Sequence, residues 1–349
     1  MSGPHKAVAA ARNAVKDALD RAGLGPGDRL VVAVSGGSDS MALAHAALFV
    51  ARHAGLLVAT VTVDHGLRSE SADEAEHVRA LMEVAGADPA VAVHVDVSAP
   101  TISAGPEGGA RSARYAALAD TARQFTRDGA KVAVLLGHTA DDQAETVLLG
   151  LGRGSGARSI SGMRAVGPLP EFSDVMAVRP FLNMRREELR AALRSTSTPW
   201  VEDPTNAPDS EWRAADGALL RRAAIRHEAL PALERAVGSG VVQALARTAH
   251  LLQADDDALE AWAGREREVL GERPSIAKLR ELPVAVRTRV IRHLALDAGA
   301  RSGELTGWHI DHIDELITGP GGGRGVDLPG IRVAQQSGCI VFGSVGLNH

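Results

Sequence analysis

Four apolar runs rich in valine and leucine punctuate the first half of the chain: RLVVAV (29–34), LLVATVTV (56–63), VAVHVDV (91–97) and KVAVLLG (131–137). Segments with helical periodicity separate them. Near-continuous apolar runs suit strands covered on both faces, and strands joined through helices pair in parallel. The expected fold is therefore α/β, a Rossmann-like parallel sheet with helices on both faces. A further run, VMAVRPFL (175–182), reads as a strand, and RREELRAALRS (185–195) as the helix after it. Beyond Pro208 the alternation stops, and ALLRRAAIRHEALPALERAV, GVVQALARTAHLLQADDDALEAWAGREREVL and PVAVRTRVIRHLALDAGA repeat apolar residues at three and four. These predict a helical domain. The tail, GPGGGRGVDLPGIRVAQQSGCIVFGS, reads as a glycine-rich loop and a small hairpin. The boundaries expected are 1–206 for the sheet domain, with an N-terminal helix inside 1–27, then 207–300 for the helical domain and 301–349 for a terminal helix and β-hairpin.

At 349 residues and 45% hydrophobic content, the chain can bury the cores of about two domains. Its single cysteine, Cys339, allows no intrachain disulfide, iron–sulfur cluster or cysteine-rich zinc site. That usage suits a reducing compartment, so a cytoplasmic location is expected. No stretch offers the ~18 apolar residues of a membrane span, and the N-terminus lacks a signal peptide's apolar block. Net charge is −5, yet the middle of the chain is relatively basic, with arginine supplying its cations. Arginine forms bidentate phosphate contacts and stacks on bases, which permits a nucleic-acid partner.

The first strand runs into Ser35-Gly36-Gly37-Ser38-Asp39-Ser40 and then a helix. This arrangement puts backbone N–H groups and the positive end of a helix dipole at the C-terminal edge of the sheet, where an anion binds. Two glycines let the backbone turn and approach the anion, and the serine hydroxyls donate further. No GK[ST] follows, and the loop is not GxGxxG, so both commoner nucleotide-loop readings fail. The Asp39 carboxylate would repel such an anion unless a cation such as Mg²⁺ lay between them. A metal-bound polyphosphate reconciles loop and carboxylate.

Other polar clusters fall at strand ends. VDHGLR supplies Asp64, His65 and Arg68 at the same edge of the sheet. GHTADDQAETVLL puts His138, Asp141, Asp142 and Glu145 in a turn and first helical turn, where spacings of three and four gather the carboxylates on one face. A divalent cation would compensate such acids; an N-cap with acids placed for the helix dipole explains them equally well. Arg111 and Arg114, in GPEGGARSARYAALA, share a helix face and could meet a phosphate or a nucleotide.

Taken in order, SGGSDS (35–40), VDHGLR (63–68), E-x-x-A-R-x-x-R-Y (107–115), GHTADDQAETVLLGLGRGSG (137–156), RPFL (179–182) and WVEDPTN (200–206) resemble the tRNA(Ile)-lysidine synthases, a branch of the PP-loop ATP pyrophosphatases. The resemblance covers residues 28–206 and continues more weakly beyond. It implies that 1–206 is a nucleotide-binding catalytic domain and that 207–300 binds tRNA. The implied reaction has two steps. ATP adenylates the C2 carbonyl oxygen of the wobble cytidine in a CAU-anticodon isoleucine tRNA, releasing diphosphate, and the L-lysine ε-amine then attacks C2 and displaces AMP. By motif match, Ser35, Gly36, Gly37, Ser38, Asp39, Ser40, Asp64, His65 and His138 would hold ATP, and Asp39 and Asp142 would hold Mg²⁺. Asp39, Arg111, Arg114, Asp141, Asp142 and Glu145 would carry the chemistry. Substrate contacts would fall on Arg68, Glu107, Arg153, Glu202, Asp203, Asn206, Arg221 and Arg222. A homodimer is compatible with the resemblance, and no membrane is involved. Two stretches depart from the family pattern: Gly105-Pro106-Glu107-Gly108, and AADGALL, which separates Arg213 from Arg221, Arg222 and Arg226.

The rival readings are another PP-loop enzyme, such as a tRNA thiolase or an amidotransferase-type synthetase, and a tRNA- or nucleotide-binding protein without catalysis. One cysteine argues against sulfur and cluster chemistry, and the retained acids argue against binding alone. HIDHIDEL (309–316) is superficially metal-like, but Ile310, Ile313, Leu316 and Ile317 mark a buried face. Asp255-Asp256-Asp257 reads as a solvated face, and Cys339 as a small buried residue.

Overall fold

The computed structural model describes residues 3–66, 70–95, 105–126, 129–154, 156–202, 220–301, 303–319 and 325–344, with only the backbone of 105–108 and 344. Two compact units emerge, Met1–Gly154 with Ser159–His250, and Ser155–Arg158 with Leu251–His349. The helices after residue 220 therefore group with the sheet as far as His250.

In the first unit, α1 (Lys6–Arg21) leads into β1 (Arg29–Ala33), α2 (Ser38–Ala54), β2 (Leu57–Asp64), α3 (Ser71–Ala85), β3 (Ala90–His94), α4 (Gly105–Phe125), β4 (Val132–Leu135) and α5 (Ala140–Arg153). A short α6 (Ala157–Ile160), β5 (Val166–Leu169), β6 (Phe172–Val178) and α7 (Arg186–Ser195) follow. The six strands are ordered β3-β2-β1-β4-β6-β5, all parallel except β5. Each of the four valine-rich runs supplies a strand, as the patterning predicts, and the 175–182 run does so as far as Val178, residues 179–182 leaving the strand. The edge strand β5 carries Gly167 and Pro168, which argue against a strand in sequence. Its register shifts at Pro168/Leu169, and as an antiparallel edge it tolerates both residues.

Both faces of the sheet are covered. On one, Val15, Leu19, Leu43, Ala47, Met82, Leu189 and Leu193 from α1, α2, α3 and α7 pack on Leu30, Val32 and Leu135. On the other, Tyr115, Leu118, Ala119 and Ala122 of α4 pack on Val31, Ala59, Val61 and Val134. The chain resumes at α8 (Arg221–Ala224), a π-helical turn (Ile225–Ala229), α9 (Leu230–Val237) and the long α10 (Val241–Leu270). Leu230, Val242 and Ala246 bury against Ala140 and Ala144 of α5.

The second unit holds the end of α10 with α11 (Ile276–Glu281), α12 (Val284–Asp297), α13 (Gly307–Thr318) and an antiparallel sheet of β7 (Val326–Leu328), β8 (Ile331–Gln336) and β9 (Cys339–Ser344). Its core is aliphatic, with Val286, Val290, Ile291, Ile313, Ile317, Ile331, Val333 and Ile340 closed off from solvent. The expected hairpin is thus a three-stranded sheet. Its extra strand, VDL, is too short and too polar at its centre to stand out beside the glycine-rich loop. Asp256 also departs from the solvated reading: it is buried and accepts from Arg289 at 2.6 Å. Cys339 is half-buried rather than buried, because it opens β9 at the turn paired with Gln336. In α13, His309 closes a capping box with Thr306, His312 stacks on Trp308, and Ile310, Ile313 and Ile317 are buried. Among the described residues no cluster of metal-ligating side chains occurs, and no helix is long and apolar enough to cross a membrane.

Phe181 lies fully buried in the larger core, between β6 and α7. Phe181→Ala should destabilise the chain by about 3–5 kcal/mol through lost burial and the cavity left behind, measured by chemical denaturation.

Candidate active site

The chain leaves β1 toward β2 on one side and returns to β4 on the other, so the ends of β1 and β4 bound a crevice at the C-terminal edge of the sheet. The 35–40 loop fills one side of it. Gly36 adopts a left-handed φ of 82°, which an L side chain resists, and a Cβ there would press on Val78 at 3.0 Å. Ser40 braces the loop: its hydroxyl donates to the Gly37 carbonyl at 2.9 Å, and the Ser35 amide donates to its oxygen at 3.1 Å. Gly37 caps α2 with no side-chain acceptor, so the first amides of the helix keep their donors for an anion. Across the crevice, Gly137 approaches the Asp39 backbone so closely that a Cβ would lie 3.1 Å from the Asp39 carbonyl.

Thr139 caps α5 through a capping box with Asp142: Asp142 Oδ2 accepts from the Thr139 amide and hydroxyl, both at 2.8 Å. The N-cap reading of these acids is therefore correct for Asp142. Its other oxygen accepts from Arg186 Nη2 at 2.9 Å, and the same guanidinium donates from Nε to Asp39 Oδ2 at 2.7 Å. Asp141 accepts from the Arg186 amide at 2.9 Å and from Arg185 Nε at 3.1 Å. Arginines at the start of α7 thus bring positive charge to Asp39, Asp141 and Asp142. Glu145 is fully buried; Oε1 accepts from Arg226 Nε at 2.7 Å, and Oε2 lies 3.5 Å from Arg222 Nη1 with no hydrogen-bond partner.

These surroundings set the protonation states. Burial raises the pKa of Asp39 against the opposing pull of Arg186. Burial also disfavours the Asp142 anion, but Arg186, His138 and the Thr139 bonds outweigh it and hold the pKa low. In Glu145 burial prevails over Arg226, so the pKa is raised. His138 is driven well below its ordinary value by burial, then by Arg179, Arg114 and Arg111, against the pull of Asp142. It stays neutral at physiological pH. His65 is likewise lowered by burial and by Arg114. Asp64 is fixed by bonds from the Gly66 amide and His94, both at 2.9 Å.

Glu202 lies beside the loop, where the Val201 amide donates to the Gly36 carbonyl at 2.9 Å, and it accepts from Arg190 at 2.8 Å and Trp200 at 2.9 Å. Arg111 and Arg114 flank the Tyr115 ring, each 5.3 Å from its centroid. Arg153 and Arg221 are exposed. Arg68, Asp203, Asn206 and the Glu107 side chain lie outside the described residues. Arg185, Arg186, Arg190 and Arg179 are additions from the structure. Sequence reasoning passed over the first three because RREELR reads as an ordinary amphipathic helix start, and it named Arg179 only within the RPFL motif.

A PP-loop domain family model matches residues 9–233, and a TilS substrate binding domain model matches residues 275–337. Among curated proteins, tRNA(Ile)-lysidine synthase from Thermobifida fusca is 46% identical over 95% of this chain and 96% of its own length. The same enzyme from Streptomyces coelicolor is 46% identical over 96% of this chain and 97% of its own. Among solved structures, the U34-tRNA thiolase NcsA from Methanococcus maripaludis, described with its [4Fe-4S] cluster, superposes with a TM-score of 0.54 over 71% of this chain and 80% of its own. At 16% identity that likeness concerns the fold alone. With the loop, the acid-capped helix and near full-length identity in agreement, the chain belongs to the tRNA(Ile)-lysidine synthases, ATP-dependent ligases of the PP-loop family.

Proposed function

We propose that the chain joins L-lysine to C2 of the wobble cytidine of a CAU-anticodon isoleucine tRNA, through an adenylated tRNA intermediate, as ATP goes to AMP and diphosphate. The observation that carries this reading is the Arg186 bridge, which sets the anion-binding loop and the acid-capped helix α5 against one another. The uncapped amides of α2 and the Ser35–Ser40 loop cradle the diphosphate as it leaves, where the negative charge develops. The cytidine oxygen, a poor leaving group, departs once it carries AMP.

The donor set suits Mg²⁺ at Asp39. This ion takes one or two carboxylates and fills its shell with phosphate oxygens and water. Among the described residues, Asp39 Oδ1 accepts only from the Ser38 hydroxyl at 3.3 Å, whereas Asp142 has both oxygens committed to Thr139 and Arg186. When bound, Mg²⁺ would neutralise charge on the departing diphosphate.

Only a neutral amine attacks, so the lysine must lose a proton. Glu145 is the carboxylate best suited to take it, because burial raises its proton affinity and one oxygen has no hydrogen-bond donor. Asp142, held ionised by its partners, instead keeps Arg186 in place.

The direct test is incubation with ATP, Mg²⁺, labelled lysine and a CAU-anticodon isoleucine tRNA transcript. Label enters the tRNA; its absence, with an active control enzyme, overturns the reading. Asp39→Asn should lower AMP and diphosphate formation by at least about 10²-fold, while the circular dichroism spectrum of the folded chain is retained. Arg221→Ala should weaken tRNA binding and reduce the slope of log K against log salt by about 0.7–0.9, measured by filter binding across a salt series.

A further inference from the structure

Apart from the crevice, the first unit holds a cavity of about 290 Å³ where α1, α2 and α7 pack on one another. Its lining is largely apolar, with buried Ala11, Ala46 and Leu193 contributed one by each helix. Protein interiors leave few voids larger than a water molecule, and this one is on the scale of a small-ligand pocket. Phe49 and Arg52 of its wall are exposed, so it opens to solvent on their side.

The charge in this wall is positive. Arg12 of α1 stacks its guanidinium on the Phe49 ring of α2, 3.4 Å from the centroid. Stacking uses the face of a guanidinium and leaves its N–H edges to donate. Arg52 adds a second cation, no carboxylate lines the cavity, and among the described residues none ion-pairs with either arginine. The wall's histidine on α2, His45, adds no charge, because burial lowers its pKa. An apolar hollow with a flat ring and unspent guanidinium donors is complementary to a flat apolar body carrying one anionic group. A carboxylate matches the arginine fork with two parallel hydrogen bonds.

The same walls lead to the crevice. α2 begins at the anion-binding loop with Asp39 in its first turn, and α7 begins at Arg186, which donates to Asp39. The cavity lies between later turns of these two helices, so a molecule seated in it bears on the spacing that the Asp39–Arg186 contact spans. We propose that the cavity is an effector site for a small planar organic carboxylate, coupled through α2 and α7 to ATP binding at the Ser35–Ser40 loop. Coupling is reciprocal: ATP alters the affinity for the carboxylate by the factor with which the carboxylate alters that for ATP. The inference needs ATP binding alone and is independent of the tRNA and amine substrates proposed above.

The test follows 4-fluorobenzoate by ¹⁹F NMR against the full chain. Saturable binding is expected with a Kd of about 1 mM or tighter, and binding at least about 10-fold weaker for 4-fluorobenzamide, which keeps the shape without the charge. Arg12→Gln should weaken 4-fluorobenzoate about 10-fold or more. Ala46→Leu, which fills the hollow, should abolish its binding without lowering the unfolding midpoint; where that variant does not fold, Arg12→Gln, at a partly exposed position, decides. Saturating 4-fluorobenzoate should shift the Kd for ATP with Mg²⁺ at least about 5-fold by titration calorimetry, and the shift should vanish in Arg12→Gln. No saturable binding, equal binding of the amide, wild-type affinity in Arg12→Gln, or an ATP affinity that ignores the bound carboxylate overturns the proposal. Failure of lysine transfer with the coupling intact overturns the reaction and leaves the effector site standing.

Discussion

One guanidinium holds the crevice together. Arg186 donates to Asp39 at the start of α2 and to Asp142 at the start of α5, while its own amide, at the start of α7, donates to Asp141. Three helix N-termini meet there, and each brings a carboxylate or the cation that joins them. Acids favour such positions individually because they face positive dipole ends. Brought together they would repel, and removing one partner from a buried pair of this kind costs about 3–5 kcal/mol. The bridge therefore fixes the loop and the acid-capped helix at one spacing.

Around that bridge the charge is graded. On one side lie the carboxylates, each met by an arginine: Asp141 by Arg185, Asp142 and Asp39 by Arg186, Glu145 by Arg226. Arg111 and Arg114 lie beside the Tyr115 ring, and among the described residues no carboxylate ion-pairs with them. His138 lies under the influence of both, pulled toward its cation by Asp142 and away from it by Arg179, Arg114 and Arg111, and burial decides for the neutral ring.

Much of this is legible in the chain. Continuous valine runs announce a buried parallel sheet because only strands covered on both faces are apolar at every position. SGGSDS announces an anion site because its glycines and serines follow a strand and open a helix. The grouping of Asp142 and Glu145 follows from helical spacing. The exceptions are equally instructive: β5 is disguised by Gly167 and Pro168, β7 by its three-residue length, and Asp256 by the acidic run around it.

By itself the sequence determined the α/β layers, the anion-binding loop, the acids at the start of α5 and, through the combination of motifs, the family. Tertiary structure decided what compensates those acids. Arg186 is 147 positions from Asp39 and 44 from Asp142, and no local pattern marks it, since an arginine near a helix start reads as surface. Coulombic pairing over such separations depends on where folding brings the charges.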